Sequence, residues 1–411
     1  MLDKNKKYWL SIENWVYVST TMATILLYNT RNGQYIINDI KKNIDIIKQL
    51  HEKTALGVIM LDNNLINEKD IYCFIKEGIQ KEILTITEQN EQKIKPIRLM
   101  PILNIQRSAE KLNGEDDRSI GENALYYLKE LTIHINDNCN LSCSYCAKAN
   151  KQFHCCSKNN NLELSENILH SIAKQIKYAP ISKLNIIGGD ILSYPLLEKI
   201  PEIFKEKKDN IHFWSNYKNF SNSTLPIVWD ILIDFPINEQ ILSKLISNNK
   251  EKETQYNYHF IVQGINEVNF VEEITNNFEI QNFEIHPYYN GGNIDFFETC
   301  VFLNEEDILS NVVSQRRIFC NQALNTNFFG GITILSNGDV TANINTPVLG
   351  NIISTSLLEL ITQELERNTA WRKIRSLYPC NDCLYQFLCP PISNYEMILE
   401  KNNLCKLSDY I

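Results

Sequence analysis

The chain has no run of basic residues. Its formal net charge is −9 and its lysines and arginines are scattered, whereas a nucleic-acid footprint shows as a basic patch or stripe. Nucleic acid is therefore excluded as a partner. Also missing is an apolar run long enough to cross a bilayer as a helix: the uncharged stretch Trp15–Tyr28 has 14 residues, short of the roughly 20 that a spanning helix needs. No small-residue cleavage site follows it, as a signal peptide would require; Asn29-Thr30-Arg31-Asn32-Gly33 reads instead as a turn between strands. A membrane is excluded as a partner, and the expected location is cytoplasmic. The composition is not that of a disordered chain either, with 44% hydrophobic and 22% charged residues. At 411 residues two or three domains are expected.

Cysteine is what the chain has in abundance. There are twelve, gathered into short ligand-like runs, which favours metal over disulfides and calls for a reducing compartment. Cys139, Cys143 and Cys146 form a C-x3-C-x2-C run. A [4Fe–4S] cluster normally takes four thiolates, so a loop with three leaves one iron open to an exogenous ligand. The bland alternatives are buried structural thiols and a zinc knuckle, but zinc sites usually pair two C-x2-C units, which this spacing is not.

Around this loop the pattern is β-α alternation. Leu131–Ile135, Lys183–Ile187, Ile211–Trp214, Trp229–Ile233, Tyr258–Val262 and Asn282–His286 are six short apolar runs, with helical segments between most of them. In Ser165–Tyr178, Ser165 is placed to cap and Ile168, Leu169, Ile172 and Ile176 share one face. Such alternation predicts a parallel sheet, with function at the strand C-termini. The cysteine loop follows the first strand and Gly188-Gly189-Asp190 the second; two glycines at a strand end also read as a plain tight turn. His259 and His286 fall inside a closed sheet and read as hydrogen-bonded core residues before catalysts.

Residues 1 to about 115 carry only Cys73 and look like a small α/β module. Trp15–Tyr28 and Gln34–Ile37 flank the Asn-Gly turn as a hairpin, Ile40–His51 and Glu68–Gln80 have helical spacing, and Gly57–Leu61 reads as a strand.

The C-x3-C-x2-C run, with Tyr145 before its third cysteine, resembles the signature of the radical SAM superfamily. The resemblance implies an α/β fold, a partial (β/α)6 TIM-like barrel over residues 120–300, and a catalytic [4Fe–4S] cluster on Cys139, Cys143 and Cys146. It also implies S-adenosylmethionine chelated to the open iron and reductively cleaved to a 5′-deoxyadenosyl radical. The cofactor contacts it implies are Tyr145, Gly188, Gly189, Asp190 in place of the usual Glu, Ser215, Asn216, Gly264 and Glu267.

Cys380, Cys383, Cys389 and Cys405 resemble the closing part of a SPASM domain, here over 310–411. An Ile334–Asp339 hairpin signal and Leu349-Gly-Asn-Ile352 precede them. Two family cysteines are absent: Thr341-Ala-Asn343 occupies the region of one and Ser393 the place of the other. One auxiliary [4Fe–4S] cluster on the four remaining cysteines is implied, a zinc ribbon being the alternative. Cys73, Cys155, Cys156 and Cys300 belong to neither set and read as buried or incidental thiols, and Cys320 alone cannot hold a further cluster without the two absent cysteines.

The N-terminal module is similar to the leader-peptide recognition element of peptide-modifying enzymes; a lid or dimerisation domain is the other reading. The runs Lys95–Asn104 and Lys151–Cys156 look like those of maturases, and of pseudo-radical-SAM companions, in double-glycine-leader natural-product systems. The implied partners are a ribosomally made precursor peptide and an electron donor such as flavodoxin or ferredoxin. In the rival reading the chain is a non-catalytic partner that presents the peptide to a companion maturase.

Overall fold

The structure, a computed structural model, describes residues 6–52, 54–89, 94–98, 124–148, 150–156, 161–220, 225, 227–250 and 255–407. The expected boundary near 115–120 and residues 99–104 of the maturase-like run lie outside them.

The N-terminal strands are β1 (Tyr8–Ile12), β2 (Val16–Thr20), β3 (Ile25–Asn29), β4 (Tyr35–Asn38), β5 (Val58–Leu61) and β6 (Leu84–Glu88). They form two three-stranded sheets, ordered β5-β1-β6 and β2-β3-β4. The helices Lys41–His51 and Lys69–Gln80 stand where their spacing predicts. Trp15–Tyr28, expected as one arm of a hairpin, is instead two strands. The hydroxyl of Thr21 accepts the amide of Thr24 at 3.1 Å and its amide bonds Thr24 O at 2.9 Å, closing a turn of the kind threonine nucleates locally. β1 and β6 carry no signal strong enough to mark them in advance.

Strand β3 is buried along its whole length, and its period-2 alternation explains how. Ile25 and Leu27 face the module's own core with Leu10, Ile12, Ile47 and Ile75. Leu26 and Tyr28 face the other way, with Tyr17, onto Leu384, Tyr385, Leu388 and Leu407. The tyrosine hydroxyl of Tyr28 accepts the amide of Val313 at 2.9 Å. The module is thus docked through an apolar face onto the segment that carries the C-terminal cysteines.

The main sheet has nine strands. β7 (Glu130–His134), β8 (Lys183–Ile187), β9 (Ile211–Asn216), β10 (Val228–Asp234), β11 (Tyr256–Val262) and β12 (Phe283–Pro287) lie side by side in chain order, all parallel. These are the six predicted strands. On the far edge, β13 (Gly331–Ile334) pairs parallel with β7, and β14 (Asp339–Thr341) and β15 (Gly350–Asn351) add antiparallel. The hairpin signal at 334–339 is therefore met, and its strands continue the central sheet beyond β7. No helix is described between β9 and β10. Ser165 takes the N-cap position of helix Glu166–Gln175 without a side-chain bond.

Alternation gives this mostly parallel α/β sheet two different faces. Leu131, Ile133, Leu184, Ile186, Phe213, Ile231, Ile233 and Phe260 pack into the main core with helix residues Leu169, Ile172, Leu242 and Val271. The residues that alternate with them include Thr132, His134, Asn185, Trp214, Asp230, His259, Glu284 and His286, while Ile187, Leu232 and Ile261 pack beside Tyr145, Cys146 and Trp214. Among the described residues, no helix is long and apolar enough to cross a membrane.

Candidate functional site

The cysteine loop leaves the C-terminal end of β7 and is clamped by the turn after β8. Gly189 N–H donates to Asn136 O at 3.1 Å and to Asn136 Oδ1 at 3.0 Å, Asp190 N–H to Asn138 O at 2.6 Å, and Asn136 Nδ2 returns a bond to Asp190 O at 2.9 Å. The approach is too close for any side chain. A Cβ on Gly188 would meet Asn136 Oδ1 at 2.1 Å, and one on Gly189 would meet Asn138 O at 2.1 Å. These glycines are required by loop-on-loop packing. Gly189→Ala should therefore displace the cysteine loop, and iron bound after anaerobic reconstitution should fall by about four per chain while far-ultraviolet circular dichroism is unchanged. Full iron content in that variant would show that the loop adjusts.

Cys139, Cys143 and Cys146 converge on one cleft, walled by Tyr145, Gly188, Gly189, Trp214, Ser215 and Asn216. Amide donors reach the sulfurs: Leu141 N–H at 3.4 Å and Asn219 Nδ2 at 3.6 Å from Cys139 Sγ, with Asn216 Nδ2 3.9 Å from Cys143 Sγ. Asn216 is held in place by Asp234 Oδ1 at 2.9 Å and by Tyr145 Oη at 3.0 Å. A hydrogen bond with Cys146 holds Cys143 down to about 7, and the neighbouring Cys143, Cys155 and Cys156 push Cys146 well above the ordinary thiol range. Burial raises Cys139. Three thiols, one already near its thiolate form, with N–H donors aimed at sulfur, fit the demands of an iron–sulfur cluster, whose potential such bonds tune.

Cys155 is the buried thiol expected from the sequence, whereas Cys156 stands closer to the first cysteine set than its spacing suggests. Cys156 lines the same cleft, its Sγ 3.0 Å from Cys146 Sγ, and Cys155 is buried beside it. Their spacing from Cys146 lies outside the C-x3-C-x2-C pattern, so only the fold reveals the fourth thiol.

The other expected contacts are more dispersed. Asp190 Oδ1 accepts Leu192 N–H at 3.2 Å as a cap. Ser215 is buried and its hydroxyl bonds Asn216 O at 3.3 Å. Gly264 precedes helix Ile265–Asn277, and Glu267 Oε2 accepts Gln263 N–H at 2.6 Å. Asp190, Gly264 and Glu267 are not among the residues lining the cleft.

Below the cleft lies a chamber of about 390 Å³ on the polar face of the sheet, lined by Glu130, Thr132, His134, Lys183, His259, Glu284 and His286 among others. Trp214 belongs to both cavities. Its Nε1 donates to Asn185 Oδ1 at 2.9 Å, and its ring lies 4.9 Å from His154 and 4.5 Å from His259. Burial pushes His134 down to about 3, so it is neutral at pH 7. No sequence signal marked Trp214 or this chamber.

The C-terminal cysteines also meet. Cys380, Cys383, Cys389 and Cys405 line one cavity with Arg375. Tyr385 N–H lies 3.4 Å from Cys383 Sγ, Asn403 Nδ2 3.2 Å from Cys405 Sγ and Arg375 Nη1 3.9 Å from Cys380 Sγ. Burial raises Cys380, Cys383 and Cys389, and the buried Arg375 guanidinium opposes it. Four thiols around one cavity, with a cation beside them, fit a closed tetrathiolate centre. Cys320, on helix Gln315–Ala323, is not among its lining residues.

The two positions without cysteine have other work. Ser393 caps helix Asn394–Leu399, and Glu396 answers its backbone amide at 2.8 Å while binding Arg375 Nη2 at 2.6 Å. Asn343 Nδ2 and Asn345 Nδ2 share Asn394 Oδ1 at 2.9 and 3.1 Å, and Asn345 exchanges two 2.7 Å bonds with the backbone of Lys151. An amide network thus ties the C-terminal segment to the residues just before Cys155.

No protein-family model and no curated protein matches the chain. Among solved structures it is similar to Streptococcus suis SuiB bound to S-adenosylmethionine, with 12% identity and a TM-score of 0.47 over 97% of this chain and 99% of that one. It is also similar to histidine-tagged anSMEcpe with bound AdoMet, with 15% identity and a TM-score of 0.41 over 67% and 92% of the two chains. Native anSMEcpe with AdoMet and the Cp18Cys peptide gives 14%, 0.42, 67% and 95%.

Proposed function

We propose that the chain is a radical SAM enzyme that modifies a ribosomally made precursor peptide. In this reading β7–β12 are the partial (β/α)6 barrel, residues 1–115 recognise the leader, and 310–411 are a SPASM-like domain with one auxiliary cluster. The observation that carries it is the convergence of Cys139, Cys143 and Cys146 on one cleft at the C-terminal end of the parallel strands, sharing the Trp214 wall with a polar chamber. A [4Fe–4S] cluster with S-adenosylmethionine, when bound there, supplies reductive one-electron cleavage of the sulfonium. The chain's own part is to present three thiols, to aim the amides of Leu141, Asn216 and Asn219 at their sulfurs, and to keep water from the cleft with Tyr145 and Trp214. The chamber offers polar side chains to a peptide residue reaching toward the cleft.

Cys156 favours a second reading. Four thiols in one cleft would close a cluster completely, and the chain would then serve as a peptide-presenting partner for a companion maturase. Electron paramagnetic resonance of the reduced cluster separates the two. The enzyme reading predicts that S-adenosylmethionine shifts the wild-type spectrum and that Cys156→Ala leaves this shift intact. A wild-type spectrum indifferent to S-adenosylmethionine, with a shift only in Cys156→Ala, would establish the closed cluster.

A further inference from the structure

We propose that His259, Glu284 and His286 form a mononuclear site for a divalent transition metal, in the polar chamber and separate from both cysteine sets. His259 Nδ1 and His286 Nε2 are 2.9 Å apart, and Glu284 Oε2 lies 3.6 and 3.5 Å from them. The three donor atoms converge within one small sphere. A point equidistant from these atoms is about 2 Å from each, the length of zinc bonds to imidazole and carboxylate. The strands fix this triangle: His259 on β11 stands opposite Glu284 on β12 in the parallel register, and His286 follows two residues later on the same face.

The tautomer of His259 leaves Nδ1 as a lone-pair donor that can bind a metal, or accept Nε2–H of His286 when no metal is there. The Nε2 of His259 faces Asp230 Oδ1 at 2.8 Å. A carboxylate only accepts, so the proton sits on Nε2 and the lone pair of Nδ1 points into the triangle. Asp230 is itself oriented by His212 Nδ1 at 2.7 Å and Asn257 Nδ2 at 3.2 Å. A ligand histidine whose second nitrogen donates to an anchored carboxylate is the usual outer shell of a protein metal site. Trp214 covers His259 at 4.5 Å, while the Glu284 side chain is 68% exposed toward the chamber. Three protein ligands with an open side are the arrangement of zinc sites that also bind water or substrate. Two nitrogens and one oxygen suit zinc or iron(II), and the open position would accept a peptide carbonyl or carboxylate. The inference does not depend on the cluster chemistry proposed above.

The test uses cluster-replete protein, so that the cysteines are already occupied. The chain is exposed to zinc sulfate and desalted, and its zinc and iron are counted. Wild type should retain about one zinc, His259→Ala/His286→Ala none, with iron equal in both. X-ray absorption at the zinc edge should show nitrogen and oxygen near about 2.0–2.1 Å and no sulfur near about 2.3 Å. Should the double variant fail to fold, Glu284→Gln removes a ligand at a largely exposed position, and Asp230→Asn removes the orienting carboxylate; each should weaken zinc binding about tenfold or more. Zinc retention equal in the variants, a sulfur shell, or no zinc retained by wild type would overturn the assignment.

Discussion

Replacing Cys139, Cys143 and Cys146 together by alanine should lower iron and sulfide from about eight to about four per chain. In the proposed reading the remaining four would belong to the C-terminal cavity, which shares no lining residue with the cleft. The variant should fold, because Asn136, Asn138 and the Gly189 amide still fasten the cysteine loop through backbone and amide bonds when the contacts to its sulfurs are lost. An unchanged iron content would show that the loop holds no cluster.

Replacing Cys405 by alanine should have the opposite character: iron falls by about four and the fold suffers. Metal bound by a site absent from the unfolded chain is folding free energy, and here the site is also a docking surface. Leu384, Tyr385 and Leu388 lie between Cys383 and Cys389, Leu407 follows Cys405, and all four pack on Tyr17, Leu26 and Tyr28 of the N-terminal module. Burying a side chain of this size is worth roughly 1.5–3 kcal/mol, so loosening the centre releases several such contacts. A fall in melting temperature of about 10 °C or more is expected, with earlier proteolysis between the module and the rest. An unchanged melting temperature would contradict this coupling. Four irons with one zinc in wild type would make the tail a zinc site, distinguished from the histidine site by sulfur near about 2.3 Å in its absorption spectrum.

Strands β7–β12 of the main sheet were legible because each is a short apolar run between turn signals, and parallel order follows from the helices between most of them. The two groups of cysteines that line the cleft and the C-terminal cavity stood out in the sequence because most of their members are close together in it. Cys156 did not: it reaches Cys146 only because the loop 150–156 folds back, held by Asn345 at Lys151 and by Gln152 bonding Tyr289 N and O at 2.7 and 2.8 Å. The chamber escaped notice for a similar reason. Glu130, Lys183, His259 and Glu284 are far apart in the chain and line one chamber only in the folded sheet. His259 and His286 were read as hydrogen-bonded core residues; they are bonded as expected, but the carboxylates around them could be seen only in three dimensions.

The docking of the N-terminal module bears on how its role is examined. Cutting the chain after residue 115 would uncover Tyr385, Leu388 and Leu407 and so disturb the C-terminal centre together with any peptide binding. Substitutions on exposed strand edges of the module separate the two effects, since a leader peptide that adds a strand gains its affinity from edge backbone groups.

The central claim is that the cleft cleaves S-adenosylmethionine, and the most direct measurement is 5′-deoxyadenosine released by anaerobically reconstituted, reduced protein. The account predicts release that requires both reductant and S-adenosylmethionine and that vanishes in the Cys139, Cys143 and Cys146 triple variant. Wild-type protein with full iron content that yields no more 5′-deoxyadenosine than the triple variant would contradict it.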